Sequence, residues 1–460
     1  MNVLVINPPN APFTSKGILI EPIDVLGVAS CIAVLGHGVQ LLDMDVHRIS
    51  PQELLSHAKP HDIAVIIYDY HIPLHDDGTL AAVQDIARQL KSGGAKVIIG
   101  GKTATYKPER LLFPGSPVDV LVSHEMEPAL ETLLAMKDWS PDSLQTVSGI
   151  AYLDDGGRLR RTPRTTAPFD LDRLPMPDRR LVDLSAYIDV RPILSSRGCH
   201  MACDFCHVPE FWGKWRYRSP ALVVDEIEHL VAVHGARKIL FLDDNATVGR
   251  RHMQEICEKL IERRIEVAMG CLGSLGLFDE GMMDLMFRAG FRWIHYGVES
   301  GDDRLLASIH KGVGADAVRR IVGRTRARGF RVRTSWILDL PGTTGDELQR
   351  TADLILELQT EEIRLHHLAI RMGSGFYGQY GDIPSTQYIH KGTQNQNLSA
   401  ISPDGIRQAA ETLAAKLETG GYAIVRHPDE FIDLSALQQR APSLKIASLC
   451  PMRYGLGWEY

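Results

Sequence analysis

The chain has 460 residues, of which 44% are hydrophobic and 23% charged, and its formal net charge is −7. This length exceeds what a single compact core supports, so two or three domains are expected. The acidic balance argues against a nucleic-acid-binding protein, whose binding surface is basic, and no apolar run is long enough to cross a bilayer. The first residues lack the basic segment and cleavage site of a signal peptide, which favours a cytoplasmic protein.

Residues 1–145 alternate short apolar runs with amphipathic stretches. The predicted strands are residues 3–7, 39–43, 63–68, 97–99 and 118–122. Apolar strands separated by helices predict a parallel sheet covered on both faces, and therefore an α/β doubly wound, Rossmann-like domain. Ligands of such domains bind at the carboxyl ends of the strands.

Residues 146–190 interrupt this pattern with four prolines among aspartates and arginines, which predicts an extended linker. Strand–helix alternation returns in residues 191–375 with a longer repeat. The six predicted strands there are residues 193–196, 238–243, 266–271, 293–298, 331–338 and 363–370. Six such units in one direction predict a partial (β/α)6 barrel with its chemistry at the carboxyl ends of the strands. Residues 376–460 show no clear period and are predicted to form a small C-terminal cap.

The stretch RGCHMACDFCH follows the first predicted barrel strand and contains Cys199, Cys203 and Cys206. The chain has seven cysteines and the other four are scattered, which indicates a reducing compartment rather than a disulfide framework. Three thiols on a cubic iron–sulfur cluster leave one iron open to a substrate or cofactor. The alternative is a structural zinc site with a fourth ligand from His200 or His207, because such sites close a four-ligand shell. The position at the top of a barrel strand favours the catalytic interpretation.

The spacing C-x3-C-x2-C, with Phe205 before the last cysteine, resembles the signature of the radical S-adenosylmethionine (SAM) superfamily. The stretches RYRSPALVVDEIEHL, ILFLDDNAT, HYGVESGDDRLLASIHKG and WILDLPGTTGDEL then follow in that family's order. The resemblance implies that the three cysteines hold a 4Fe–4S cluster whose open iron binds SAM. It also implies that an electron, from a donor such as flavodoxin or ferredoxin, cleaves SAM to a 5′-deoxyadenosyl radical that abstracts hydrogen from a substrate.

By the same resemblance, Glu299 and Ser300 meet the SAM ribose and Lys311 meets the methionine carboxylate, with which a lysine cation pairs well. Asp243, at the end of the second barrel strand, accepts from the SAM amino group, and Phe205 belongs to the same cofactor site. The alternatives are a helix cap for Asp243 and a solvated surface position for Lys311.

The first domain resembles the radical SAM subfamily with an N-terminal cobalamin-binding domain, through VLVINPP, GHGVQLLDMD, Gly100-Gly101 and EMEP. Cobalamin is therefore a candidate cofactor, and the subfamily implies methyl transfer or ring formation at an unactivated carbon.

Three local differences argue against cobalamin. Asp69-Tyr70-His71 replaces the Ser or Thr expected at the third strand, and an ionised aspartate beside a neutral base carries a desolvation cost. Lys102 follows the glycine pair where relatives keep a neutral residue. Ser123-His124-Glu125 replaces a glycine-rich turn whose bare backbone would let a ligand approach.

The length and domain order resemble the radical SAM diol dehydratases of aminoglycoside antibiotic biosynthesis, and this is the preferred hypothesis. It implies a lyase that removes water from an aminocyclitol with the help of an acid and a base. The candidates for these roles are His71, His75, His124, His366, Asp339 and Glu362, among which the sequence does not choose. Tyr217 and Tyr296 are the candidates for returning an electron or hydrogen atom to the product radical, with Tyr217 preferred. A cationic amino sugar implies carboxylates, and the candidates are Asp69, Asp244, Asp302, Asp303 and Asp339.

Two alternatives remain open from the sequence. One is a cobalamin-dependent radical SAM methyltransferase, and the other is a metal-stabilised binding scaffold without turnover. In each case the expected partner is a small molecule rather than a nucleic acid or membrane, and a homodimer is compatible with the sequence.

Overall fold

The computed structural model describes residues 1–9, 20–68, 77–165, 167–277, 279–381, 398–426 and 445–449. They divide into two compact units: the first contains residues 1–9 and Glu21–Tyr187, and the second contains Ile20 and the described residues from Ile188 onward. Among the described residues, no helix combines the length and the apolar character needed to cross a membrane.

The first unit is built on a seven-stranded sheet in the order β2-β1-β3-β4-β5-β6-β7, parallel from β2 to β5 and antiparallel beyond. Its strands are β1 Asn2–Asn7, β2 Gly38–Asp43, β3 Ile63–Ile67, β4 Lys96–Gly100, β5 Val120–Val122, β6 Ile150–Leu153 and β7 Leu159–Arg161. Its helices are α1 Ile23–Val34, α2 Met44–His47, α3 Leu54–His57, α4 Asp77–Ser92, α5 Lys102–Tyr106, α6 Glu127–Ala135 and α7 Pro141–Leu144. The central strand β3 is buried along its whole length, as its unbroken apolar sequence requires. The predicted doubly wound domain is confirmed.

The structure differs from the predicted extended linker over residues 146–190. Strands β6 and β7 form a hairpin that extends the first sheet, joined by a turn in which Asp154 accepts hydrogen bonds from two backbone amides. Further along, the Arg179 guanidinium lies 2.9 Å from the Glu21 carboxylate, and both side chains are fully buried. The Tyr187 hydroxyl donates to Asp43 at 2.8 Å. Residues 146–187 therefore belong to the first unit, and their prolines had led to the prediction of a linker.

The second unit contains an eight-stranded parallel sheet in the order β16-β17-β15-β14-β13-β12-β11-β8. The strands of this sheet are β8 Arg191–Ile193, β11 Lys238–Phe241, β12 Ala268–Gly273, β13 Phe291–Glu299, β14 Arg331–Ile337, β15 Glu362–His366, β16 Tyr422–Val425 and β17 Lys445–Ser448. Two further strands, β9 Ser196–Arg197 and β10 Arg216–Tyr217, form a separate antiparallel pair. The helices of the second unit are α8 Val208–Trp212, α9 Pro220–His234, α10 Arg250–Glu262, α11 Glu280–Arg288, α12 Asp303–Ser308, α13 Ala315–Ala327, α14 Gly345–Leu358, α15 Gly375–Tyr380 and α16 Pro403–Thr419. The six predicted strands are present, so the partial barrel is confirmed.

Two further strands, β16 and β17, come from the region predicted as an irregular cap and continue the parallel sheet beyond β15. These strands are only four residues each, too short to give a period in the sequence.

Local signals explain where the barrel helices begin and end. Helix α9 begins with Pro220 in its first turn and ends at Gly235, whose φ of 62° suits glycine. Helix α14 begins with a capping box in which Thr344 and Glu347 bond each other's backbone amides. One face of the barrel strands packs against these helices, so the opposite face lines the interior.

The buried Arg179–Glu21 pair generates a prediction about the stability of the first unit. Arg179→Met removes the cation beside a buried carboxylate, and we expect a loss of about 3–5 kcal/mol in the free energy of unfolding, measured by calorimetry. The control is Arg180→Met, because Arg180 pairs with Asp178 at a position where its own side chain is 86% exposed. Equal thermal midpoints for the two variants would contradict this role of the pair.

Candidate functional site

The three clustered cysteines lie in the loop between β9 and α8, and none of them is exposed. The Cys206 amide donates to the Cys203 carbonyl at 3.0 Å, which closes the second half of the loop. The Cys199 thiol accepts from the Met201 amide at 3.5 Å and from Asn245 Nδ2 at 3.7 Å. The loop is therefore folded around its own thiols.

Burial raises the pKa of each thiol, in the case of Cys206 to about 12. Burial is the main cause of the raised pKa of Cys206, and the charges of Asp244, Cys203 and Cys199 add to it. Among the described residues, no three His, Cys, Asp or Glu side chains have the geometry of a site for a single metal ion. A cubic cluster does not require such a group, because each thiolate bonds a different iron.

Two aspartates after β11 hold the strand that leads into this loop. Asp243 is 1% exposed and accepts from the Ser195 amide at 2.7 Å, the Ser196 amide at 3.2 Å and both serine hydroxyls. Asp244 accepts from the Gly198 amide at 3.0 Å, one residue before Cys199. Burial raises the pKa of Asp243 to about 6, while the hydrogen bonds from Ser195 and Ser196 oppose that shift.

This arrangement differs from the role predicted for Asp243. The sequence comparison implied that Asp243 accepts from the SAM amino group, whereas its oxygens here bond Ser195 and Ser196 inside the protein. Asp243 therefore positions the cysteine loop. The helix-cap alternative does not describe it either, because α10 begins only at Arg250.

Lys311 and Glu299 form a buried ion pair beside the cysteine loop. Lys311 Nζ lies 2.9 Å from Glu299 Oε1, and the two side chains are only 15% and 9% exposed. Lys311 Nζ is also 5.6 Å from the centre of the Phe205 ring. Burial lowers the pKa of Lys311, but the charges of Glu299, Cys203 and Cys206 outweigh it and the pKa is raised. The solvated position considered for Lys311 is wrong.

The backbone around Glu299 is adapted to this pair. Glu299 has a φ of 75°, rare for a residue with a side chain, and the β13–β14 register shifts at this point. A Cβ on Gly297 would lie 3.2 Å from Lys311 Nζ and would collide with Glu299 Oε1, so only glycine leaves room for the pair.

Ser300, predicted at the same site, is directed elsewhere. Its hydroxyl accepts from the Asp302 amide at 3.1 Å and lies 3.3 Å from Thr351 Oγ1. Ser300 thus stabilises the turn before α12.

Sequence reasoning missed three residues that hold the cysteine loop. Asn245 donates to Cys199, as described above. Asp204 accepts from His310 Nδ1 at 2.9 Å, and its carbonyl accepts from the Phe376 amide at 2.9 Å. Asn245 and His310 lie in the two stretches quoted for the family resemblance, which could have pointed to them.

Three of the residues predicted as catalytic are not brought together. Tyr217 is 50% exposed and stacks on Trp215 and His252, with ring centres 4.9 and 4.7 Å apart. Asp339 is buried against His367 Nδ1 at 2.7 Å and accepts from the Leu368 amide at 2.6 Å. His71 lies outside the described residues.

In the first unit, the ligand edge of the sheet is partly filled by the protein itself. A Cβ added to Gly100 would lie 2.7 Å from Met126 Cγ and nearer still to its Sδ and Cε, so Met126 covers this glycine. Lys102 is 1% exposed at the start of α5. His124 has a φ of 60° and its ring lies 3.3 Å from the Arg164 guanidinium.

Comparison with known proteins identifies the second unit. Residues 193–355 match the family model "Radical SAM superfamily". The second unit therefore contains a radical SAM domain. This confirms the resemblance drawn from the cysteine spacing, and with it the expectation of a 4Fe–4S cluster and SAM as cofactors of a radical SAM enzyme.

Three similar proteins match this chain over most of its length. An anaerobic magnesium-protoporphyrin IX monomethyl ester cyclase from Synechocystis is 24% identical over 82% of this chain and 77% of its own. An uncharacterized methyltransferase from Pyrococcus horikoshii is 23% identical over 78% of this chain and 79% of its own. The structure of the radical SAM methyltransferase TsrM from Kitasatospora setae, with cobalamin and a [4Fe-4S] cluster bound, has a TM-score of 0.71 at 18% identity, covering 89% of this chain and 81% of that one. The radical SAM domain is thus joined to an N-terminal unit of the cobalamin-binding type of fold.

The residues of the second unit fit a 4Fe–4S cluster, whereas those of the first unit fit cobalamin less well. Three neighbouring thiols beside a buried lysine fit a cluster that leaves one iron open. The first unit, by contrast, carries Met126 on the glycine that the sequence pattern assigns to the approach of cobalamin. Cobalamin fits that face of the sheet only if the Met126 side chain turns away.

The buried contacts of Asp243 predict its importance for cluster assembly. Asp243→Asn replaces one acceptor oxygen by a donor that faces the serine donors, and we expect a loss of about 1–3 kcal/mol in stability together with a severalfold loss of bound iron. Iron per chain is measured after anaerobic reconstitution. Asp279→Asn is the matched control, since Asp279 accepts from the Met282 amide at an exposed helix start. Full iron in the Asp243 variant would contradict the positioning role.

The contact between Gly100 and Met126 predicts a coupling between the two positions. Gly100→Ala inserts a methyl group into an occupied space, and we expect a cost of about 1–3 kcal/mol. In the Gly100→Ala/Met126→Ala double variant, most of that cost should disappear in a double-mutant cycle measured by urea denaturation. Gly27→Ala is the control, because nothing lies within 4 Å of the added Cβ. Additive effects at positions 100 and 126 would refute the contact.

Proposed function

We propose that Cys199, Cys203 and Cys206 hold the 4Fe–4S cluster of this radical SAM enzyme, and that Lys311 and Glu299 hold SAM. The buried ion pair beside the cysteine loop carries this proposal, because it places a cation and a carboxylate acceptor next to Phe205 and the three thiols. With both groups bound, an electron from the cluster cleaves SAM to methionine and a 5′-deoxyadenosyl radical that abstracts a substrate hydrogen.

The protein's own groups orient SAM and adjust the cluster. Lys311 supplies a cation for the methionine carboxylate, and Glu299 supplies an acceptor for a ribose hydroxyl. Asn245 donates a hydrogen bond to the Cys199 sulfur, and such bonds to cluster sulfurs tune the reduction potential. Lys311 Nζ lies 5.6 Å from the centre of the Phe205 ring, whose face attracts the cation.

For the overall reaction, the relatives favour methyl transfer with cobalamin over the preferred sequence hypothesis of dehydration. A methyltransferase is among the sequence relatives, and TsrM shares the fold of both units. The radical SAM domain also favours turnover over the non-catalytic scaffold.

Dehydration of a diol is retained as the second candidate for one structural reason. The Met126 side chain occupies the face of Gly100 where cobalamin would approach, and dehydration requires no cobalamin. The acid–base candidate Asp339 does not support one reaction over the other, because it is bonded to His367 and Leu368.

The cluster assignment predicts the behaviour of the cysteine variants. Replacing Cys199, Cys203 or Cys206 singly by alanine should remove most bound iron and reduce SAM cleavage with dithionite by about 100-fold or more, because one cluster ligand is lost. Cys31→Ala should leave both quantities unchanged, since Cys31 lies on α1 of the first unit. His200→Ala should also retain iron, and loss of metal in that variant alone would favour the Cys₃His zinc site instead.

The products separate the two candidate reactions. The anaerobic enzyme is mixed with hydroxocobalamin, passed through gel filtration, and then incubated with SAM and dithionite. Retained corrinoid absorption with S-adenosylhomocysteine among the nucleosides supports methyl transfer. Elution without corrinoid, with 5′-deoxyadenosine and no S-adenosylhomocysteine, contradicts methyl transfer and leaves dehydration as the candidate. Met126→Ala then tests whether that side chain blocks the corrinoid.

A further inference from the structure

The interior of the barrel contains a row of charged and polar side chains next to the Lys311–Glu299 pair. On β13, β14 and β15 the residues that pack against the helices are apolar, including Ile294, Trp336 and Ile363. The residues that alternate with them point to the interior, because successive side chains of a strand lie on opposite faces. These interior residues are His295 on β13, Arg333 and Ser335 on β14, and Glu362, Arg364 and His366 on β15.

Strand register stacks these residues into two neighbouring rows. His295, Arg333 and Glu362 lie opposite one another in the first row. Ser335 and Arg364 lie opposite one another in the next row, which also contains Gly297. Because Gly297 is the glycine beneath the Lys311–Glu299 pair, these rows adjoin the proposed SAM site directly.

Two guanidinium groups share one carboxylate in this region. Glu362 accepts from Arg333 on one oxygen and from Arg364 Nε at 2.9 Å on the other. All three residues are less than a tenth exposed. Burial raises the pKa of Glu362, but the two arginines outweigh it and the pKa is lowered, so this carboxylate is ionised.

The pKa values of the two neighbouring histidines, His295 and His366, are lowered by burial and by nearby positive charges. His295 lies 2.6 Å from Ser335 Oγ, and burial followed by the charges of Arg333 and Arg364 holds its pKa well below the usual value. Burial and the charges of Arg364 and Arg371 lower the pKa of His366 to about 3. Both histidines are therefore neutral, and each can donate one hydrogen bond without adding charge.

The carboxylates predicted to bind an amino sugar do not offset this positive region. Asp244 accepts from Gly198, and Asp303 accepts from the Ala315 amide at 2.7 Å. Asp302 caps α12 and contacts Arg350 Nε at 2.7 Å, and Asp339 bonds His367. Asp69 lies outside the described residues.

We propose that Arg333 and Arg364, with the Ser335 hydroxyl as a neutral donor, bind an oxyanion of the substrate, a carboxylate or a phosphate, inside the barrel. Neutral His295 holds this hydroxyl in place by donating from Nε2 to Ser335 Oγ. This proposal rests on the proposed function, because it places the substrate next to the SAM held by Lys311. Guanidinium groups bind planar oxyanions through two parallel hydrogen bonds, and a low-dielectric interior strengthens them. A substrate anion bound there would accept hydrogen bonds from both guanidinium groups and would fix the carbon skeleton relative to SAM.

The test uses the cluster-loaded, full-length enzyme with SAM present and radiolabelled inorganic phosphate or acetate as the probe in equilibrium dialysis. We expect saturable binding of one anion per chain at constant ionic strength, and the tighter of the two probes indicates which oxyanion the site prefers. Arg364→Gln should weaken binding about 10-fold or more, because it removes a charge-assisted pair of hydrogen bonds. The affinity of Arg364→Lys should fall between those of the wild type and Arg364→Gln, since lysine keeps the positive charge but loses the paired N–H donors of the guanidinium group.

Glu362→Gln is the decisive variant. It disturbs the same buried network as Arg364→Gln but removes the competing carboxylate, so it should tighten anion binding about 10-fold. A merely structural network would weaken binding in both variants. Arg319→Gln is the control for net charge, since Arg319 pairs with Glu357 on the surface.

Absence of saturable binding in the wild type, or weakening in both the Glu362 and Arg364 variants, would overturn the proposal. The iron content and SAM cleavage of the same wild-type preparation test the proposed function separately. A preparation that binds the anion without iron would refute the cluster assignment and leave the anion site standing.

Discussion

A buried carboxylate anchors the reactive end of the second unit. Asp243 gathers the amides and hydroxyls of Ser195 and Ser196, and Asp244 adds the Gly198 amide, so that the chain turns out of the sheet just before Cys199. Without these two carboxylates, five polar groups would lose an acceptor, at a cost of several kcal/mol. The start of the cysteine loop is therefore held in place by the two aspartates that follow β11, although the loop itself forms little regular structure.

The fold could largely be predicted from the sequence, because its long strands are unbroken apolar runs separated by helices with clear caps. Prediction failed where the signal was short or was masked by proline. Strands β6 and β7 lie among prolines and arginines, and β16 and β17 are only four residues long. Such strands are determined by the sheet edge on which they pair rather than by their own sequence.

The sequence predicted which residues lie near the cysteine loop, but not which atoms their side chains bond. The cysteines, Phe205, Lys311 and Glu299 do lie together, as their family pattern implies. Asp243 and Ser300 were assigned to SAM by the same pattern, yet their side chains bond nearby backbone and hydroxyl groups. A sequence indicates that an aspartate follows a strand, but not whether its carboxylate faces the interior or the cofactor. The polar lining of the barrel was predicted only in part: Glu362 and His366 were candidate acid–base residues, but their neighbours Arg333, Arg364 and His295 were not singled out. One arginine or histidine per strand is unremarkable in a sequence until the strands are in register.

The eight-stranded sheet has two ends, β8 and β16, and within the described part of the chain neither is paired to the other. A closed barrel resists deformation, since any change in its diameter must break a ladder of hydrogen bonds all the way around. An open one can widen or narrow at its seam while every ladder stays intact. The distance between the arginine rows on β14 and β15 and the cysteine loop beyond β8 can therefore change by bending the sheet, so one scaffold can enclose molecules of different length without altering the chemistry at its top.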